Sequence, residues 1–192
     1  MAHGDWTSNA HLIAGVARLG YLPGHVLDPT WGRGRWWQVW QPEKLTSHDL
    51  FTRDGVDFRY LPESAETFDS IAFDPPYKLN GTPALGDFDN AYGVDVKNDR
   101  ESKHQCIRDG MTECARVLRF GGFLLLKCMD QVEGGKVRWQ TDIFTAHAVS
   151  LGLEKVDSFN FPSYRAQPEG RGQQHARRNF STLMVFTKGR AC

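Results

Sequence analysis

The sequence has no excess of either charge: lysine plus arginine and aspartate plus glutamate number 23 each. A uniformly basic or acidic surface is thereby excluded, and any face meant for a polyanion has to be local. Cysteine is scarce. The four, Cys106, Cys114, Cys128 and Cys192, form no Cys-x-x-Cys pair and have no histidine at metal-ligand spacing, which argues against a structural zinc, a redox dithiol and a disulfide scaffold. No apolar run approaches the roughly 18 residues that a bilayer span needs, and the N-terminus lacks the apolar stretch of a secretory signal. A soluble protein of the reducing cytoplasm is expected, with no membrane partner and no metal. Repeats and low-complexity linkers are missing too. What is present, 192 residues of which 40% are apolar and 24% charged, suits one domain spanning residues 1–192 with a sizeable core.

Leu12, Ile13, Val16, Ala17 and Leu19 recur at helical spacing behind Thr7 and Ser8, either of which can cap a helix, and Gly20 with Pro23-Gly24 ends it. A strand at 25–28 then opens into Pro29-Thr30-Trp31-Gly32-Arg33-Gly34, and one or two helical turns are predicted at 35–40. Further strands are predicted at 45–50 and 68–73, a helix at 105–119, and at 123–128 a continuous apolar run of the kind buried on both faces. A helix at 139–151 leads to strands at 153–161 and 180–187. Strands alternate with helices until the last two strands pair as a hairpin. The fold class expected is α/β, a doubly wound, mostly parallel, Rossmann-like sheet with an antiparallel last strand. Two long irregular stretches, 78–103 and 162–178, have the length of functional loops.

In an open parallel sheet, ligands gather at the carboxyl ends of the strands, where glycine turns let the backbone approach them. Asp28 to Gly34 lies at such an end. The pair Gly32-x-Gly34 lacks the third glycine of a dinucleotide fingerprint, Trp37 standing in its place, and suits an ordinary tight turn as well as a cofactor loop. Asp49, after the second strand, is placed either to accept from both hydroxyls of a ribose or to be a solvated strand-end acid. Asp57 and Phe58 are readable in two ways, as a cover for an adenine ring or as an acid beside a core residue. Of the crowded tryptophans, Trp36, Trp37 and Trp40 are expected in the core, and Trp31 at the border of a cofactor. Arg33 and Arg35 suggest a phosphate, but the Gly-Lys-Ser/Thr of a P-loop is absent.

The strand at 68–73 runs straight into Asp74-Pro75-Pro76-Tyr77. Proline fixes its own φ, restrains its predecessor and brings no N–H, so this corner is stiff and lined by acceptors only: the Asp74 carboxylate and the Pro75 carbonyl. A planar exocyclic amine has two N–H donors and a lone pair delocalised into its ring. Two acceptors satisfy both donors and draw the nitrogen toward tetrahedral geometry, freeing the lone pair to attack. Leaving one such donor unpaired in a closed site costs about 1–3 kcal/mol, so the corner selects an amine over a carbonyl. Tyr77 adds a face on which a base can stack, worth on the order of 1–3 kcal/mol. Against this stands the plainer reading of a rigid turn with a partly buried tyrosine.

These residues resemble the amino-methyltransferases of nucleic acids, the S-adenosylmethionine-dependent enzymes that methylate exocyclic amines of adenine or cytosine in DNA. Val26-Leu27-Asp28-Pro29-Thr30-Trp31-Gly32-Arg33-Gly34 is similar to their cofactor loop, Asp74-Pro75-Pro76-Tyr77 to their catalytic tetrapeptide, and Arg116 to Phe123 to the passage into their fifth strand. Thr30 departs from the family's usual phenylalanine. The resemblance implies a Rossmann-like methyltransferase sheet, with Asp28, Pro29, Thr30, Trp31, Gly32, Gly34, Asp49, Asp57 and Phe58 around S-adenosyl-L-methionine. It implies Asp74, Pro75, Pro76 and Tyr77 around the target base, with Asp74 an acceptor first and a base second. Aspartate at the head of the tetrapeptide goes in that family more often with adenine N6 than with cytosine N4. A guanine or adenine amine in ribosomal RNA, or a noncatalytic cofactor-binding or nucleic-acid-binding module, is the alternative. The short stretch between Gly34 and Asp74 leaves no room for a target-recognition domain, so a short recognition sequence, a second copy of the chain or a partner protein is expected. For the nucleic-acid strand, Lys78 follows the tetrapeptide directly, and the 162–178 insert carries Arg165, Arg171, Arg177 and Arg178, a phosphate clamp or else a solvated hairpin tip.

Overall fold

The computed structural model describes residues 6–79, 100–162, 175 and 178–189. Ser8 opens the first helix, α1 (Asn9–Arg18): its hydroxyl accepts the His11 N–H at 3.3 Å, and Leu12, Ile13 and Val16 are buried beneath it. Next come strands β1 (His25–Asp28), β2 (Lys44–Ser47) and β3 (Phe68–Phe73), with a single 3₁₀ turn, Arg35–Trp37, after β1. Helix α2 (Arg100–Val117) passes directly into β4 (Leu118–Cys128), followed by a small hairpin of β5 (Gln131–Glu133) and β6 (Lys136–Arg138). Helix α3 (Gln140–Ser150), β7 (Leu153–Pro162) and β8 (Phe180–Lys188) complete the described chain.

Six strands form one sheet in the order β2-β1-β3-β4-β8-β7. β1 runs parallel to β2 and β3, and β3 to β4, whereas β8 lies between β4 and β7 and is antiparallel to both. The expected Rossmann-like sheet with an antiparallel last strand is thus the one observed.

Side chains alternate between the two faces of each strand, and the core is accordingly two layers. Leu27, Ile71, Phe73, Leu124, Leu126 and Met184 pack with Ile107, Met111 and Cys114 of α2 and Phe144 of α3. Val26, Ala72, Leu125, Leu183 and Val185 pack with α1 and with Trp36 and Trp37 on the other face. Trp40 is only partly buried at the margin of that second cluster.

Three departures from the periodicity have local causes. β2 stops at Ser47 because the chain folds back on Asp49: the amides of Phe51 and Thr52 donate to its carboxylate, and that of Gly55 to its carbonyl at 3.1 Å. β4 starts earlier than the apolar run, at the buried Leu118, with a register shift between Phe68 and Ser70 that absorbs the exposed Arg119, Phe120 and Gly121. The β5–β6 hairpin, which is not among the predicted elements, turns on Gly134-Gly135, both at positive φ (56° and 72°), the two-residue loop that such a tight hairpin favours.

Candidate active site

β1 and β3 are neighbours, so their carboxyl ends bring Asp28 and Asp74 to one edge of the sheet. Asp28 is buried. One of its oxygens accepts the Thr30 N–H at 2.9 Å and, more weakly, the Thr30 hydroxyl at 3.4 Å; the other accepts the Trp37 indole N–H at 2.6 Å. The Thr30 hydroxyl oxygen in turn accepts the backbone N–H of Asp74 at 2.9 Å. A chain of hydrogen bonds therefore runs from Trp37 through Asp28 and Thr30 to the first residue of the tetrapeptide, fastening the glycine loop to the Asp-Pro-Pro-Tyr corner. Pro29 is buried beneath it.

Within the loop, Gly34 has φ +64°, and a Cβ there would stand 2.5 Å from the Trp31 ring. Glycine is required on both counts. Arg53 covers the same indole at 4.6 Å from the ring centre, so Trp31 forms a fixed wall of the loop.

The other end of the corner is also held. The Tyr77 carbonyl accepts from Nε2 of Gln131 at 2.9 Å and Nε2 of Gln140 at 2.8 Å, while Gln131 Oε1 accepts the Leu79 N–H at 3.1 Å. The Pro75 carbonyl already accepts the Tyr77 N–H at 2.8 Å, which leaves it one lone pair for a ligand.

Two cavities open along this edge. One, of about 350 Å³, runs along the glycine loop past Asp28, Thr30, Trp31, Gly32, Arg33 and Arg35. The second, of about 260 Å³, is lined by Pro75, Pro76, Tyr77, Lys78 and Lys127. Asp74 and Asn9 line both, so the two cavities adjoin at the head of the tetrapeptide.

Burial governs the charge at this junction. It lifts the Asp28 carboxyl to about 7 against the Trp37 and Thr30 hydrogen bonds, and the negative charge of Asp74 adds to the rise. Asp74 is likewise raised by burial, while the Lys127 ammonium, the nearby Trp36 indole N–H and Lys78 hold it down. Trp36 Nε1 faces Asp74 outside hydrogen-bonding geometry and has no other partner among the described residues. Lys127 is lowered by burial, with Asp74 opposing.

The residues expected around an adenosine are placed otherwise. Asp49 is buried and spends its carboxylate on backbone: Oδ1 accepts from Phe51 and Thr52 at 2.9 and 2.8 Å, and Oδ2 from Gly32 at 2.6 Å. Burial raises it, but these amides prevail and its pKa lies below the usual carboxylate range. Asp49 therefore ties the glycine loop to the β2 loop, with little capacity left for two ribose hydroxyls. Asp57 is turned to Arg59, 2.6 Å away. Phe58 is fully buried, its ring 5.1 Å from that of Phe73, in a space kept open by Gly110 of α2, where a Cβ would fall 2.5 Å from the Phe58 ring. Phe58 is a core residue, and neither cavity is lined by Asp49, Asp57 or Phe58. Among the strand-binding candidates, Lys78 is exposed at the second cavity, and the Arg178 guanidinium lies over the Trp139 ring at 4.5 Å. Arg165, Arg171 and Arg177 lie outside the described residues, as does most of the 78–103 segment.

Four residues of the site escaped the sequence reading, Asn9 of α1 among them. Gln131 and Gln140 reach Tyr77 only through the tertiary fold. Lys127 did leave a signal, a charge in the middle of an apolar run, and alternation places it on the α1 face, where its ammonium donates to Asn9 Oδ1 at 2.8 Å.

No protein-family model matches the sequence, and no curated protein matches it. Solved structures do. N-methyltransferase NodS from Bradyrhizobium japonicum superposes with a TM-score of 0.57 at 14% identity, over 94% of this chain and 94% of its own. The 1,6-didemethyltoxoflavin-N1-methyltransferase of Burkholderia thailandensis, bound to its substrate and S-adenosylhomocysteine, gives 0.55 at 14% identity, covering 95% and 79%. A protein described as a DNA modification methylase from Thermus thermophilus, complexed with S-adenosyl-L-methionine, gives 0.50 at 14% identity over 88% of this chain. The present chain spans 57% of that protein. The likeness is one of fold, and the class it defines is the Rossmann-like methyltransferase fold.

Proposed function

We propose that the protein is an S-adenosyl-L-methionine-dependent methyltransferase that modifies an exocyclic amine of a base in DNA, adenine N6 first. The observation that supports this reading best is the pair of adjoining cavities. One follows the glycine loop, the other follows Asp74-Pro75-Pro76-Tyr77, and they meet at Asp74 and Asn9.

The donor set suits the cofactor. Asp28 and Asp74 offer negative charge to a cationic ligand at the junction, and Arg33 and Arg35 on the loop side are positioned for its carboxylate. When bound, S-adenosyl-L-methionine supplies a methyl group already activated on a sulfonium. The chain contributes positioning. Asp74 and the free lone pair of the Pro75 carbonyl accept the two amine hydrogens, Tyr77 covers a face of the base, and Asp74 takes the surplus amine proton.

The test is incubation with labelled cofactor and, separately, duplex DNA, single-stranded DNA and structured RNA, followed by nucleoside mass spectrometry. N6-methyladenine from DNA is expected. Label in RNA alone would overturn the DNA assignment, and label in no nucleic acid would overturn the reading itself. Asp74→Ala is expected to abolish transfer while weakening cofactor binding far less, since Asp28 still offers its charge at the junction.

A further inference from the structure

Lys127 stands where the alternation of β4 calls for an apolar side chain: Leu125, two residues before it on the same face, is fully buried in the α1 layer. Lys127 itself is 4% exposed. Its ammonium donates to Asn9 Oδ1 at 2.8 Å and lies 5.6 Å from the centre of the Trp36 ring and 5.9 Å from that of Phe161. It lines the same cavity as Asp74, Pro75 and Tyr77. No ion pair within 4.0 Å is made to it among the described residues. A tie to Asn9 alone needs only a neutral donor, and a full charge is costly to bury without a countercharge. The countercharge is Asp74, which shares the cavity. An ammonium carries three donors and Asn9 takes one, so the cavity wall presents acceptors at Asp74 and Pro75 and a donor at Lys127.

We infer that Lys127 reads the edge of the target base, donating to a ring-nitrogen lone pair next to the amine that Asp74 and the Pro75 carbonyl hold. The inference rests on the base-amine reading above and narrows it. On the Watson–Crick edge of adenine, the N6 amine lies beside N1, a bare lone pair; on that of cytosine, N4 lies beside N3, also bare. On that edge guanine presents N1–H beside its N2 amine, and an ammonium facing it sets donor against donor. Guanine's bare lone pair next to the amine is N3, on the sugar side. The pocket therefore admits adenine or cytosine by the Watson–Crick edge, and guanine only when turned to offer N3.

The experiment uses the full chain with duplexes carrying either the base that wild type methylates or its deaza analogue, 1-deazaadenine or 3-deazacytosine, in which C–H replaces the ring nitrogen. In wild type the analogue is expected to lower kcat/KM by about 10- to 100-fold, the range of a lost hydrogen bond to a charged donor. Lys127→Met is expected to lose a similar factor on the natural base and then no more than about twofold on the analogue, because the partner is already gone. Lys127→Gln, which keeps a donor, recovers part of the loss. Melting and cofactor titration accompany each variant; should Lys127→Met not fold, Lys127→Gln against wild type decides the matter. Undiminished wild-type transfer to the analogue, or an equal analogue penalty in the variant, overturns the role of Lys127 and leaves methyl transfer standing. A wild type that methylates no nucleic acid overturns both.

Discussion

Thr30→Val replaces a hydroxyl by a methyl of nearly the same size, at the position where the resembled enzymes carry phenylalanine. The substitution removes the acceptor for the Asp74 N–H at 2.9 Å and the weaker contact to Asp28 at 3.4 Å, and changes little else. The Asp74 amide then loses its protein partner at the part-buried junction of the two cavities, which costs about 0.5–1.5 kcal/mol. For a chain of this size each kcal/mol moves the melting temperature by about 2–4 °C, so a fall of about 1–6 °C is expected in a thermal melt. Methyl transfer should fall further than stability does, since loosening a reacting group by about 1 Å can cost about 100-fold in rate. Thr30→Ser keeps the hydroxyl and should recover most of both losses. If Thr30→Val melts within about 1 °C of wild type with undiminished transfer, or if serine is as damaging as valine, the fastening of the two loops through Thr30 is refuted.

Asp28, lifted by burial to about 7, should lose its proton when a cationic cofactor binds beside it. Cofactor affinity should therefore rise as pH increases through about 7 and level off above, with proton release visible by titration calorimetry in buffers of different ionisation enthalpy; a pH-independent affinity would contradict this. His48 has both ring nitrogens 2.6 Å from carboxylates, Asp54 and Glu63, which overcome the effect of burial and raise its pKa. Its contribution to stability is complete below the ordinary imidazole pKa and is lost as pH rises through the raised one, so His48→Gln should lower the melting temperature more at about pH 6 than at about pH 9. Gly34→Ala forces a side chain to positive φ and into the Trp31 ring, and should cost about 1–2 kcal/mol from backbone conformation alone together with most of the cofactor affinity, measured by melting and titration.

The fold was legible because its strands obey the patterns of buried parallel sheet: the apolar run at 123–128 and the helical spacing in α1 survive into the structure almost unchanged. The two ends of the site were legible because they are contiguous in sequence, a glycine loop after β1 and a tetrapeptide after β3. What sequence could not supply is which side chains the folding chain delivers to them. Asn9 comes from α1, Lys127 from β4, and Gln131 and Gln140 from either side of a hairpin. Nor could it tell an acid that faces a ligand from one that closes a loop. Asp49 sits at the strand end where a ribose ligand would be expected, yet its oxygens are taken by the amides of Gly32, Phe51 and Thr52. Phe58 follows Asp57 as an adenine cover would, but the missing side chain at Gly110 lets α2 close over it.

The tetrapeptide is pinned at its first amide by Thr30 and at its last carbonyl by two glutamines. A segment anchored at head and foot, with two prolines between, has no hinge with which to reach for its target. On the function proposed above, what travels to complete the encounter is the nucleotide: it swings out of its own stack to a rigid receiver, and the work of recognition falls on how readily the substrate strand gives it up.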